Sequence, residues 1–301
     1  MKSKRTMQKK SLRKNGIAWL FLLPCLLGFI FYYFVPIMYG IGYSLTDYSG
    51  LSPAINFIGI ENYKHMFSDR YFIRSLRNNI WYAVIYTPLT LFTALIFATI
   101  LNKISRGRKF FRVCFFMPYI TSMVSVAVVW KLIFNPANGP LNTLLGGMGI
   151  QNPPKWLLSS DWALGAVIIV SVWKTFGYYM LILLAGMQTI PEHLYEAAKI
   201  DGADGVNQYI RITLPLLTPT LFVCIIMLLI NSFQVFDLIN VMTGGGPGMA
   251  TNVLVYRIYV EGFTNANMGY ACAISYFLFL IILVITMIQF AAQKYWVHYE
   301  L

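Results

Sequence analysis

Six long apolar runs recur along the chain, at about residues 17–45, 80–101, 110–134, 163–187, 216–239 and 270–292. A helix needs about 20 mostly apolar residues to cross a bilayer, and each run reaches that length. In hydrocarbon the backbone finds no water, so a spanning segment must satisfy its own N–H and C=O groups. Composition agrees: 58% of residues are hydrophobic and only 11% charged, whereas a soluble domain is nearer about a quarter charged. The sequence therefore predicts an all-α membrane protein with six transmembrane helices. The first run is too long and too aromatic for a cleaved signal peptide, and no small-residue cleavage site follows it, so it reads as a retained helix.

Orientation follows from Lys and Arg. Residues 1–16 form a basic segment with Lys2, Lys4, Arg5, Lys9, Lys10, Arg13 and Lys14. The short connection between the second and third runs holds Lys103, Arg106, Arg108, Lys109 and Arg112. Both belong on the cytoplasmic side. Six spans then place the N- and C-termini inside, loops 46–79, 135–162 and 240–269 outside, and loop 188–215 inside. Residues 17–301 constitute one transmembrane domain. The net charge of +12 sits beside apolar runs, as membrane topology requires, and does not point to nucleic acid. The outer loops carry turn chemistry at Asn135-Pro136-Ala137-Asn138-Gly139-Pro140 and Gly244-Gly245-Gly246-Pro247-Gly248.

Several activities find no support in the residues. Cys25, Cys114, Cys224 and Cys272 show no CxxC or metal spacing, and read as small buried hydrophobes. His65, His193 and His298 are far apart. The glycine run at 244–248 lacks the lysine of a phosphate-binding loop. No nucleophile–base pairing is visible, so the chain is expected to have no catalytic residues, metal or cofactor of its own.

The cytoplasmic loop is unusually polar for this chain. Thr189-Ile190-Pro191-Glu192 fits a capping box with proline in the first turn. His193 to Ile200 can continue as helix, Gly202 is a natural left-handed stop, and a second short helix can run from Ala203 to Ile212. Leu214-Pro215 then opens the fifth span. Ala197 and Ala198 let another surface approach the backbone, Leu194 and Tyr195 offer apolar contact, and Glu196 and Asp201 add charge.

Glu196-Ala197-Ala198, Gly202, Ile212 and Leu214-Pro215 match every position of EAA-x3-G-x9-I-x-LP. The chain thereby resembles the permease subunits of binding-protein-dependent ABC importers. Asp201-Gly202-Ala203, Phe57 to Tyr63, Leu132 to Pro136, Thr243 to Pro247 and the tail Trp296 to Glu300 are similar to the carbohydrate-uptake branch. The resemblance implies that loop 189–215 forms a coupling helix docked on a cytoplasmic ATPase. Leu194, Tyr195, Glu196, Ala197, Ala198, Asp201, Gly202 and Ala203 would then be contact residues. It also implies a second, different permease, two ATPase subunits that bind ATP and Mg, and an extracellular or periplasmic sugar-binding protein. The setting would be the bacterial cytoplasmic membrane. A glycerol phosphate importer looks similar at this level. An ion-coupled secondary transporter would instead show internal repeats, and none is visible; a non-transport scaffold that uses the loop to hold a signalling partner is the remaining alternative.

Polar side chains inside spans are costly and face a cavity or a partner. Asn231, Gln234 and Asp237 recur every three residues in the fifth run, which puts them roughly on one helical face. Planar amides, carboxylates and aromatic rings are the kit that binds sugars, and Phe233 and Phe236 lie beside them. In related sugar permeases Tyr178 matches an aromatic position of the substrate site. Glue between helices is the competing reading for each polar residue. Lys174 in the fourth run has two readings: an ion pair with Asp237, the favoured one, or contact with an anionic substrate. Trp130 and Lys131 sit near the outer end of the third run, where Lys131 can snorkel outward.

Overall fold

The computed structural model describes residues 19–52, 54–104 and 106–297. The basic N-terminal segment, the first two residues of the first predicted span and the tail residues His298, Tyr299 and Glu300 lie outside these residues. Among the described residues the regular elements are helical, and extended backbone pairs only at a bridge between Thr46 and Phe57.

In chain order the helices are α1 (Trp19–Ser44), α2 (Glu61–Ser68), α3 (Arg70–Lys103), α4 (Arg108–Ile120), α5 (Met123–Ile133) and α6 (Pro140–Gly147). There follow α7 (Ala163–Gln188), α8 (Glu192–Ile200), α9 (Gly205–Leu216) and α10 (Thr218–Phe233). The last are α11 (Asp237–Met242), α12 (Leu254–Tyr259) and α13 (Met268–Trp296). By length and apolarity α1, α3, α7 and α13 can each cross a bilayer. The pairs α4–α5 and α9–α10 meet the same test only jointly, bent by 96° and 64°; counting each pair as one span gives six.

These bends divide the third and fifth predicted runs. The third run breaks at Thr121, whose ψ of 151° is extended. Lys174 supplies the reason. Its Nζ donates to the carbonyls of Pro118, Tyr119 and Thr121 at 2.9, 3.2 and 2.7 Å. Those carbonyls would otherwise take N–H groups from the next turn. The fifth run bends at Leu217 because Pro219 has no N–H for the Pro215 carbonyl; Thr218 Oγ1 takes that carbonyl instead, at 2.6 Å. It then ends at Phe233 rather than continuing to 239. Asn79 Nδ2 holds the Ser232 carbonyl at 3.1 Å, and Asp237 begins a new helix.

The second span also differs from expectation. α3 starts at Arg70, ten residues before the apolar run, within what was expected to be loop. Arg70, Arg74, Arg77, Asn78 and Asn79 hide this extension of nearly three turns from hydropathy. Asp69 caps it, accepting the Tyr71 N–H at 2.8 Å.

α7 is the central rod. Two-thirds of its apolar window (67%) is buried, against 0% for α1. It packs along α3 and α4, and α10 packs on α3. At Gly177 the backbone of α7 meets the backbone of α4: an added Cβ would overlap the Phe115 carbonyl. α1 rests on α13, where Tyr276 OH donates to the Ile37 carbonyl, and leaves most of its own surface exposed.

The end of the bundle remote from α8 is tied by a buried polar knot that the sequence did not disclose. Arg257 of α12 pairs with Asp69 at 3.3 Å and with Glu261 one turn on. Tyr270 OH donates to Asp69 at 2.8 Å, and Asn267 Nδ2 to Glu261 at 3.0 Å. Asn78 Nδ2 holds the carbonyls of Met249 and Asn252, pinning the glycine-rich segment to α3. Nearby, the side chain and backbone amides of Asn56 bond the exposed Asp47 at 2.8 and 2.7 Å, which holds its carboxyl below the usual value.

Candidate functional site

Two features stand out, one at each level of the fold. The first is the α8–α9 projection between α7 and α10. α8 begins after Pro191, whose ψ of 134° is extended. The expected capping box does not form: Thr189 Oγ1 turns back to the Gly186 carbonyl at 2.8 Å. The C-terminus follows expectation closely. Gly202 adopts φ +79°, its N–H reaches the Lys199 carbonyl at 3.1 Å, and the Ala203 N–H reaches that of Ala198 at 2.8 Å. This is the double bond of a Schellman stop. Asp204 then caps α9 by accepting the Asn207 N–H at 2.7 Å, so the second helix starts at Gly205 rather than Ala203.

Tyr195 OH and Thr213 Oγ1 lie 2.9 Å apart and fasten α8 to α9. No residue of α8 is buried. Glu196, Ala197, Asp201 and Gly202 are exposed, while Leu194, Tyr195, Ala198 and Ala203 are half-buried. A groove of about 340 Å³ runs beside Ala198, Asp201, Ala203, Gln208 and Arg211. Ile200 is 87% exposed, with Val206 and Ile210 also uncovered. A rigid, capped helix that shows apolar side chains outward is a surface prepared for contact.

The second feature is a cavity of about 270 Å³ among α3, α7 and the α10–α11 break. Asn231, Gln234 and Asp237 all line it, although a break in the helix separates the last two. Tyr82 and Tyr86 of α3 stack at 5.2 Å, and Tyr86 OH meets Thr175 Oγ1 at 2.9 Å. Asn231 Nδ2 donates to Tyr179 OH at 3.0 Å. Tyr119, at the end of α4, completes the aromatic wall. The arrangement offers amides, hydroxyls, one carboxylate and ring faces in a single concave space.

Two expected residues stand elsewhere. Tyr178 does not line this cavity; its ring stacks on Tyr119 at 4.4 Å and 11°, behind the wall. Lys174 is not paired with Asp237, as had been favoured, because its ammonium is spent on the three carbonyls at the α4 break. It fixes Tyr119 from behind. Sequence reading missed Tyr82, Tyr86, Tyr119 and Tyr179. Their one available signal was spacing: Tyr82 and Tyr86 fall one helical turn apart, inside an apolar run.

A helical chain with up to six bilayer crossings, a polar internal cavity and one capped helix projecting at one end defines the class of multi-pass membrane proteins. The chain belongs to the family described as binding-protein-dependent transport system inner membrane component, whose model matches residues 73–297. It is 38% identical over 276 residues to the probable ABC transporter permease protein YurN of Bacillus subtilis, covering 91% of this chain and 94% of that one. It is 33% identical over 284 residues to the sn-glycerol-3-phosphate transport system permease protein UgpA of Agrobacterium fabrum, covering 94% and 96%. A solved bacterial ABC transporter for the acidic polysaccharide alginate superposes with a TM-score of 0.81 at 25% identity, over 96% of this chain and 98% of that chain. A second alginate transporter structure, in complex with an alginate pentasaccharide-bound periplasmic protein, gives a TM-score of 0.83 at 23% identity, over 95% and 96%. That likeness is one of fold.

Proposed function

We propose that this chain is one half of the translocation pathway of an ATP-driven importer for a sugar or oligosaccharide in a bacterial cytoplasmic membrane. The observation that carries the reading is the exposed, Schellman-capped α8 with Glu196, Ala197, Ala198 and Gly202, joined at both ends to bundle helices. A separate ATPase docks on this helix and supplies ATP and Mg chemistry; this chain supplies none. Closure of the ATPase pair pushes α8 and α9, and α7 and α10 turn with them as rigid bodies. The bends at Leu217 and Thr121 give those bodies defined joints.

The cavity with Asn231, Gln234, Asp237 and the four tyrosines is the substrate path. A second, different permease completes it, and the largely uncovered α1 leaves surface for that partner or for lipid. A sugar-binding protein delivers substrate to the end of the bundle opposite α8. The alginate and glycerol phosphate relatives support a polar, hydroxyl-rich solute, and the latter keep a phosphorylated polyol as the second reading.

Reconstituted vesicles provide the test. Uptake that needs ATP inside the assembled complex and a sugar-loaded binding protein supports the proposal. Uptake driven by a proton or sodium gradient without ATP overturns it.

A further inference from the structure

The polar series in the fifth run does not stop at the cavity. Asn231, Gln234, Asp237 and Asn240 are spaced every three residues, and all four side chains are exposed. The first three line the inner cavity. The fourth lines a separate groove of about 560 Å³ at the end of the bundle away from α8. The same two helices join the two spaces, since α11 packs along α5. Met123 and Asp237, at the starts of these helices, face the inner cavity; Lys131 and Asn240, toward their ends, face the outer groove. Along α11, Asp237 of the inner cavity and Asn240 of the outer groove are three residues apart, about 4.5 Å at a rise of 1.5 Å per residue.

The outer groove carries binding chemistry. Asn240 and Lys131 make no side-chain hydrogen bond or ion pair among the described residues. Asn135 Oδ1 is occupied by the Ala137 and Asn138 N–H groups at 3.0 and 3.1 Å, which leaves its NH2 as donor. Pro136, Leu158 and Pro247 form apolar walls. The groove thus offers amide donors, one cation and apolar faces, with no carboxylate in its lining.

We propose that this groove is a second, outer subsite, which holds a carboxylate-bearing unit of an oligosaccharide while the unit ahead of it occupies the inner cavity. The inference rests on the importer reading above and adds to it a substrate class: acidic chains of two or more units. Lys131 pairs with the carboxylate, and Asn240 hands the chain along the polar series to Asp237, Gln234 and Asn231.

The experiment uses the complete transporter in vesicles with its binding protein. The probes are hexuronate and neutral hexose oligomers of one to four units. Lys131→Gln should raise KM about tenfold for hexuronate oligomers of two or more units, the size of one charged hydrogen bond. Single units and neutral oligomers should be unchanged. Asn240→Ala should weaken both kinds of oligomer but neither single unit, and Asn231→Ala should weaken every length. Basal ATPase activity of each complex reports correct assembly. Equal effects of Lys131→Gln or Asn240→Ala on all lengths would indicate lost docking of the binding protein and overturn the subsite, as would an unaltered length dependence in both variants. If the wild-type complex takes up no saccharide, the importer reading fails and the subsite falls with it.

Discussion

Lys174 Nζ lies 2.7 Å from the carbonyl oxygen of Thr121, and so the charge in the middle of α7 is a clamp on the broken end of α4. The terminal carbonyls of a helix carry partial negative charge, which suits an ammonium partner. Removing it takes that partner from the Tyr119 and Thr121 carbonyls, while Thr121 Oγ1 still donates to that of Pro118; a charged hydrogen bond of this kind is worth about 1.5–3 kcal/mol. Lys174→Met should therefore lower the thermal stability of the purified subunit. It should also depress uptake of neutral and anionic substrates equally, because the charge acts through Tyr119. A loss confined to anionic substrates would show that Lys174 meets the solute instead.

Gly202 separates backbone strain from partner contact. A Cβ added there meets nothing within 4 Å in this chain, yet φ is +79°. A non-glycine residue in that region costs about 1–2 kcal/mol, which the membrane-embedded bundle can absorb. On the proposed coupling role, Gly202→Asp should insert at normal levels and lose transport, because the added side chain would obstruct a docked ATPase rather than this fold. Gly202→Asn, which tolerates the left-handed conformation, should show the same loss if contact decides it. Membrane abundance and substrate-stimulated ATPase activity measure the two effects separately.

Gly177 should behave in the opposite way. Its missing side chain lets α7 touch the Phe115 carbonyl of α4, and no flexible neighbour can yield there. Overpacking of this kind typically costs about 1–3 kcal/mol, and here the obstacle is backbone. Gly177→Val should reduce yield and melting temperature with no partner present. An unaltered melting temperature would mean that α4 and α7 separate freely.

What could be read beforehand followed local chemistry. The stop at Gly202 needs only a residue suited to positive φ, and the sequence shows it. The apolar runs located the rods because lipid imposes a length. The breaks at Thr121 and Phe233 were hidden because their causes are distant: Lys174 and Asn79 draw carbonyls away from helices remote in sequence. The inner cavity was half legible for the same reason. Asn231, Gln234 and Asp237 are conspicuous in an apolar run, whereas Tyr82, Tyr86 and Tyr179 pass for ordinary core aromatics until the helices are assembled. The Asp69–Arg257–Glu261 knot joins residues 188 apart in sequence at its first link, and nothing local announces it.

That knot yields the last prediction. Arg257 stands between two carboxylates, and all three residues are nearly buried, at 8%, 8% and 3% exposure for Arg257, Asp69 and Glu261. Deleting one member of a buried ionic group leaves an uncompensated charge and costs about 3–5 kcal/mol, whereas replacing the whole group by apolar side chains is often close to neutral. Arg257→Met alone should destabilise strongly, since two carboxylates then face each other without a cation. Arg257→Met combined with Asp69→Asn and Glu261→Gln should recover most of that loss. Because Asp69 also caps α3 and Tyr270 lies in the first turn of α13, the single variant should loosen the segment from α11 to α13, measured as faster proteolysis between residues 243 and 267. Thermal unfolding of the single and triple variants in detergent decides the matter. If the triple variant is as unstable as the single, the knot contributes specific hydrogen bonds rather than charge balance.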